Sequence, residues 1–140
     1  MSARDLYQEM ILDHARQPHN FGPLEAATAH AHRENLSCGD SIALHLQIED
    51  GQLVAVRFEG QGCALSMASA SMMTDVVEGK TVSDAAHLAE RMRAYISGQA
   101  ELDTALEDFE VFEGVRKFPA RVKCVVLPWV ALAEAIEGQA

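Results

Sequence analysis

Four side chains of the kind that bind metals stand out in this sequence of 140 residues: Cys38, Asp40, Cys63 and Cys124. Only Gly39 separates Cys38 from Asp40, so the backbone can turn and point both side chains the same way. Three thiolates and one carboxylate would complete the tetrahedral coordination that zinc takes in proteins. The spacings of 25 and 61 residues between successive cysteines match no standard zinc motif. Free cysteines are also often buried core residues, so a shared metal site and three separate core cysteines are both open interpretations.

A predicted β-hairpin would bring Cys38 and Cys63 to the same end of a sheet. Apolar residues alternate over residues 41–49, Asp50-Gly51 is a favoured two-residue turn, and a return strand covers residues 53–59. Cys38 precedes the first strand and Cys63 follows the second, so the two ends meet. Three residues of the return strand are expected to face the core: Val54, Val56 and Phe58.

The remaining segments predict mainly helices, with a further strand beginning near Ala27. The predicted helices are residues 3–16 capped by Ser2, residues 63–78 ended by Gly79, a helix opened by Thr81 and Asp84 and running to about residue 97, short helices over residues 101–118, and a last helix from Pro119 to about residue 137. Because most helices follow the strands, we expect an α+β fold with a small three-stranded antiparallel sheet and helices packed on one face. No linker interrupts residues 1–140, which predicts one domain.

The predicted helices also affect the chemistry of two cysteines. Cys63 opens a helix, where unpaired N–H groups and the helix dipole favour a thiolate. Cys124 lies in the first turns of the last helix, one turn after Arg121, whose guanidinium could offset negative charge at a metal site. Arg121 belongs to a basic group around Cys124 that comprises Arg116, Lys117, Arg121 and Lys123.

The overall composition excludes several classes of partner. A formal net charge of −10 disfavours a direct nucleic-acid ligand. No apolar run approaches the roughly 20 residues of a membrane-spanning helix. The sequence begins without a segment of signal-peptide type, which predicts a cytoplasmic protein with reduced cysteines.

Four ordered motifs carry a resemblance to a known family: "DHARQPHNFG" at 13–22, "CGD" at 38–40, "FEGQGCALSMASASMM" at 58–73 and "FPARVKC" at 118–124. The chain resembles the SufU branch of the IscU/NifU N-domain family of iron–sulfur cluster biogenesis proteins. The scaffold branch of that family has a histidine where Lys123 stands and a shorter path between Cys63 and Cys124. Leu36 replaces a proline that the family usually has before the CGD triplet.

The resemblance implies a function and a set of ligands. Cys38, Asp40, Cys63 and Cys124 are implied as the ligands of Zn²⁺ in a zinc-dependent sulfurtransferase, with Arg121 as a charge support. The implied partner is a SufS-type cysteine desulfurase, one of whose histidines would replace Cys38 on zinc and free that thiolate to accept persulfide sulfur. A downstream iron–sulfur scaffold complex is implied as the next acceptor. The alternatives are a scaffold that uses the same residues to hold iron or a [2Fe–2S] cluster, and a zinc-stabilised adaptor without sulfur chemistry.

The histidines give no strong indication of a second metal site. His30 and His32 share a strand face near His45, but exposed strand histidines are common and we assign them no metal role. His14 ends the first helix, where its ring would interact favourably with the helix dipole.

Overall fold

A three-stranded antiparallel sheet forms one layer of the fold, as seen in a computed structural model that describes residues 2–138. Its strands, in the spatial order β1-β2-β3, are β1 Ala29–Asn35, β2 Asp40–Glu49 and β3 Gln52–Gln61. Three alternating apolar residues of β2 are fully buried on one face, namely Ile42, Leu44 and Leu46, and Ile48 is partly buried. The predicted hairpin, its Asp50-Gly51 turn and the third strand are therefore confirmed.

Five helical segments and the loops between them form the rest of the described chain. They are α1 Ala3–Arg16, α2 Ala64–Val77, α3 Val82–Ile96, a 3₁₀ segment Thr104–Lys117 and α4 Pro119–Glu137. Ser2 caps α1 in a capping box with Asp5, and Thr81 accepts a hydrogen bond from the Asp84 N–H at the start of α3. The helical stretch predicted over residues 101–118 is a 3₁₀ segment interrupted by non-helical backbone at Leu106.

The prediction that Val54 faces the core is wrong. Val54 is 41% exposed, whereas its neighbour Leu53 is fully buried. Ile48 of β2 pairs with Leu53 and Gln47 pairs with Ala55, so Val54 has no partner in the register. This irregularity inserts one residue and reverses the inward and outward alternation at the start of β3, which a period-two pattern could not anticipate.

The core lies between the sheet and the helices on its apolar face, which confirms the predicted α+β arrangement. Both α2 and α4 pack against the sheet, α1 packs on α2, and α3 packs on α4. Trp129 of α4 meets Phe109 edge-on, with ring centroids 5.4 Å apart. Between residues 2 and 138, no helix has the length and apolar character needed to cross a bilayer.

Candidate metal centre

The turn between β1 and β2 positions Cys38 and Asp40. The Cys38 N–H donates to the Asn35 carbonyl over 3.2 Å, and Gly39 has a φ of +71°, a conformation that glycine adopts without strain. Cys38 is exposed, whereas Asp40 begins β2 and is only 2% exposed. The two residues are therefore close in sequence but differ in burial, with Cys38 at the surface and Asp40 in the interior.

The start of α2 holds Cys63 against Asp40. The Cys63 N–H donates to Asp40 Oδ1 over 2.8 Å, and Cys63 Sγ lies 4.0 Å from Asp40 Oδ2. Cys63 is the N-cap residue of α2, as the sequence predicted, and its Sγ lies 3.9 Å from the hydroxyl of Ser66. The Asp40 carboxylate is therefore oriented by the first N–H group of this helix end.

The first turns of α4 bring Cys124 to the same place. Cys124 is 2% exposed, and its Sγ lies 3.7 Å from Asn35 Nδ2. One ligand atom from each of Cys38, Asp40 and Cys124 lies within 4.8 Å of the other two. With Cys63 next to Asp40, residues from β1–β2, β3–α2 and α4 converge on one small volume.

The chemistry of this group fits a divalent metal. Burial raises the pKa of the Cys124 thiol, and the neighbouring side chains of Asp40, Cys38 and Cys63 raise that pKa further. A bound cation would reverse this effect, because a coordinated thiol loses its proton. Three sulfur atoms and one carboxylate are donors that zinc accepts in tetrahedral sites.

Arg121 does not lie among these donors. Its side chain is exposed, and its guanidinium carbon lies 5.6 Å from the centre of the Phe118 ring. Within residues 2–138 we find no hydrogen bond or ion pair from Arg121 to a thiol or carboxylate of the group. A charge-supporting role for Arg121 stays a prediction.

Sequence reasoning missed two residues that shape the centre. Asn35 ends β1 and directs its amide at Cys124. Gly62 has a φ of +148°, and a Cβ at this position would lie 2.9 Å from the Cα and the Cγ of Asp40. The glycine in "EGQGC" was the available signal, because a glycine directly before a candidate ligand often allows a close approach of the backbone.

The strand histidines do not converge on one point. His45 directs Nδ1 at His30 Nδ1 over 2.9 Å and directs Nε2 at Glu59 Oε1 over 2.9 Å. His32 instead lies 3.0 Å from the hydroxyl of Ser41. The two nitrogens of His45 face different partners, so these side chains form a hydrogen-bonded row along the sheet.

The chain matches a family model, and the match covers the whole group of candidate ligands. The model of the NifU-like N terminal domain matches residues 6–125. The chain belongs to the NifU-like N-terminal domain family. The resemblance to the IscU/NifU N-domain family, inferred from the four sequence motifs, is thereby confirmed.

Relatives of this NifU-like chain bear two kinds of name. The iron–sulfur cluster assembly scaffold protein IscU of Streptococcus pyogenes serotype M1 is 39% identical over 136 residues, covering 96% of this chain and 85% of that protein. The zinc-dependent sulfurtransferase SufU of Bacillus subtilis strain 168 is 38% identical over 133 residues, covering 94% and 89%. A crystal structure described as an iron–sulfur cluster assembly scaffold protein for the SUF system, from Fervidobacterium islandicum AW-1, superposes with a TM-score of 0.84 at 33% identity, covering 96% and 99%. The family is thus one of iron–sulfur cluster assembly proteins.

Proposed function

We propose that this protein is a zinc-dependent sulfurtransferase of iron–sulfur cluster assembly that accepts sulfur from a cysteine desulfurase on Cys38. The observation that carries this proposal is the unequal burial of the candidate ligands. Asp40 and Cys124 are each 2% exposed, whereas Cys38 is exposed on a turn. Buried donors suit a permanent metal ligand, and an exposed thiol on a turn suits reaction with another protein.

The residues that would hold zinc are Cys38, Asp40, Cys63 and Cys124. When bound, the metal keeps the thiols deprotonated and ties the turn before β2 to the starts of α2 and α4. The Cys63 N–H fixes the Asp40 carboxylate through the 2.8 Å hydrogen bond described above, which leaves Oδ2 directed towards the thiols. The hydrogen bond from the Cys63 N–H thus orients the carboxylate of Asp40, which is the one oxygen donor of the group.

The sulfur transfer needs only a thiolate on this chain and a persulfide on the partner. The Cys38 thiolate attacks the terminal sulfur of the desulfurase persulfide, and a new S–S bond forms on Cys38. The S–S bond of the partner breaks, and its cysteine leaves as a thiolate. No external oxidant or reductant is required, because one disulfide-type bond replaces another.

Exposed apolar side chains in the segments that carry Cys38 and Cys124 support docking of a protein partner. Leu36 is 86% exposed two residues before Cys38, and Phe118 is 53% exposed at the start of the helix that carries Cys124. Large exposed apolar side chains are typical of protein interaction sites. We propose a SufS-type cysteine desulfurase in the cytoplasm as the sulfur donor, and an iron–sulfur scaffold complex as the next acceptor.

Additional support comes from the relative named a zinc-dependent sulfurtransferase, and from Lys123 at the position where the scaffold branch has a histidine. A second candidate function is a [2Fe–2S] scaffold that uses the same ligands, which the name of the Streptococcus pyogenes relative favours. A third is a zinc-stabilised adaptor, which would bind the metal without accepting sulfur.

Metal content and sulfur transfer together separate these functions. The protein would be purified anaerobically without added metal, analysed for zinc, iron and sulfide, and then incubated with a SufS-type desulfurase and ³⁵S-cysteine. We expect about one zinc ion per chain at the cysteine site, negligible iron, and radiolabel on Cys38. The Cys38→Ser variant should stay unlabelled, and the neighbouring Ser37→Ala variant should be labelled like the unmodified chain. Iron and sulfide in equal amounts would replace the proposal with the scaffold. Zinc without labelling of Cys38 would replace it with the adaptor.

A further inference from the structure

A second group of metal-binding side chains lies where α1 packs on α2: His14, His19 and Asp75. One ligand atom from each residue lies within 4.8 Å of the other two. His14 is in the last turn of α1, His19 is in the loop that follows, and Asp75 is near the end of α2. Asp75 is twelve residues after Cys63, which places it about 18 Å away along the helix axis at 1.5 Å per residue. The two groups are therefore separate.

Ser71 fixes the orientation of His14. The Ser71 hydroxyl is buried, lies 2.7 Å from His14 Nδ1 and accepts the backbone N–H of His19 over 2.8 Å. In the tautomer that donates Nδ1–H to this oxygen, the lone pair of the His14 ring is on Nε2, which can then bind a cation. Metal-binding histidines commonly donate their second nitrogen to a fixed oxygen in this way.

Asn20 holds the third donor. Asn20 Nδ2 donates to Asp75 Oδ1 over 3.2 Å, while Asp75 Oδ2 lies 2.5 Å from His19 Nδ1. Two donors on one zinc are about 3.3 Å apart, given zinc–ligand distances of about 2.0–2.1 Å. The His19–Asp75 pair would therefore separate by less than about 1 Å on binding. The side chains of His19 and Asp75 are 54% and 46% exposed, so they have room to move.

We propose that His14, His19 and Asp75 form a second Zn²⁺ site, with water at the remaining coordination position. Two imidazoles and one carboxylate are donors that zinc binds with an open position. No residue of α1 from Ala3 to Arg16 is fully buried, so this helix is held by partial contacts. Zinc at this site would fasten the end of α1 to α2, in addition to the zinc proposed at the cysteines.

Histidine ring signals in NMR spectra test this site directly. Zinc would be added to the ¹⁵N-labelled full chain, followed by ¹H–¹⁵N spectra of the imidazole nitrogens and by measurement of bound zinc per chain. We expect the His14 and His19 signals to shift at micromolar zinc, and His19→Gln and Asp75→Asn each to weaken this binding at least tenfold. His87→Gln, which changes an exposed histidine on α3, is the matched control and should bind zinc like the unmodified chain.

Three results would overturn the proposal: unshifted His14 and His19 signals, shifts only at millimolar zinc, or equal losses in His87→Gln and the two site variants. Asp75→Asn keeps an oxygen for Asn20 and changes an exposed side chain, so its fold should persist, which circular dichroism would check. Cobalt(II) distinguishes the two sites, because thiolate-to-cobalt absorption reports only the cysteines. If that absorption is absent while zinc still shifts the His14 and His19 signals, the proposed function is contradicted and the histidine site is supported.

Discussion

Replacing Gly62 with alanine should remove the Asp40 carboxylate from the candidate metal centre. The added Cβ would lie against Asp40 Oδ1 and 2.9 Å from both its Cα and its Cγ, and the φ of +148° strains any residue with a side chain. The backbone strain costs about 1–3 kcal/mol. Overpacking against buried Asp40 costs about 1–3 kcal/mol more. We expect the free energy of unfolding to fall by about 2–6 kcal/mol without metal. If the displaced carboxylate weakens zinc binding a hundredfold, about 2.7 kcal/mol of zinc-dependent stabilisation is lost as well.

Urea denaturation with EDTA and with excess zinc would measure both effects. Gly114→Ala is the matched control, because a Cβ at Gly114 meets no atom within 4 Å and this residue lies in the 3₁₀ segment. That variant should stay within about 1 kcal/mol of the unmodified chain in both conditions. Normal zinc affinity in Gly62→Ala, together with a stability change below about 0.5 kcal/mol, would refute the close approach of Gly62 to Asp40.

Three further changes test other parts of the structure. Cys38→Ser should abolish sulfur acceptance from a desulfurase yet lower the melting temperature in EDTA little, since Cys38 is exposed; a large loss of stability would contradict its surface position. Ser69→Ala should lower the free energy of unfolding by about 1–3 kcal/mol in urea, because the buried hydroxyl donates to the Val125 carbonyl over 2.6 Å. The hydrogen bond from the Tyr95 hydroxyl lowers the pKa of Glu113. The ionised carboxylate therefore stabilises the fold at pH values above the ordinary pKa of glutamate, and this stabilisation is lost as the pH falls through the lowered pKa. Glu113→Gln should therefore lower the melting temperature at pH 7 and not at about pH 3, and an equal loss at both values would argue against the depressed pKa.

Much of the fold follows from local sequence signals. Ser2 and Thr81 cap helices, Asp50-Gly51 closes the hairpin and Pro119 opens the last helix, as their residue types indicate. These features are predictable because each depends on hydrogen bonds or backbone preferences within a few residues. Val54 is the exception, because the register of two paired strands decided which way its side chain points.

The candidate metal centre was likewise predictable only in part. Residue types and the hairpin pattern identified Cys38, Asp40 and Cys63 as neighbours, since strand pairing brings their segments together. Convergence of Cys124 on the same place depends on how α4 packs across the sheet.

The sequence by itself determined most of the secondary structure, the four candidate ligands and the family to which they point. Only the tertiary structure decided that Cys38 is exposed while Asp40 and Cys124 are buried, and that His14 meets His19 and Asp75. The physical reason is that burial and long-range contacts depend on the packing of elements distant in sequence. Local propensities and spacing carry no information on the distance between a residue on α1 and one on α2.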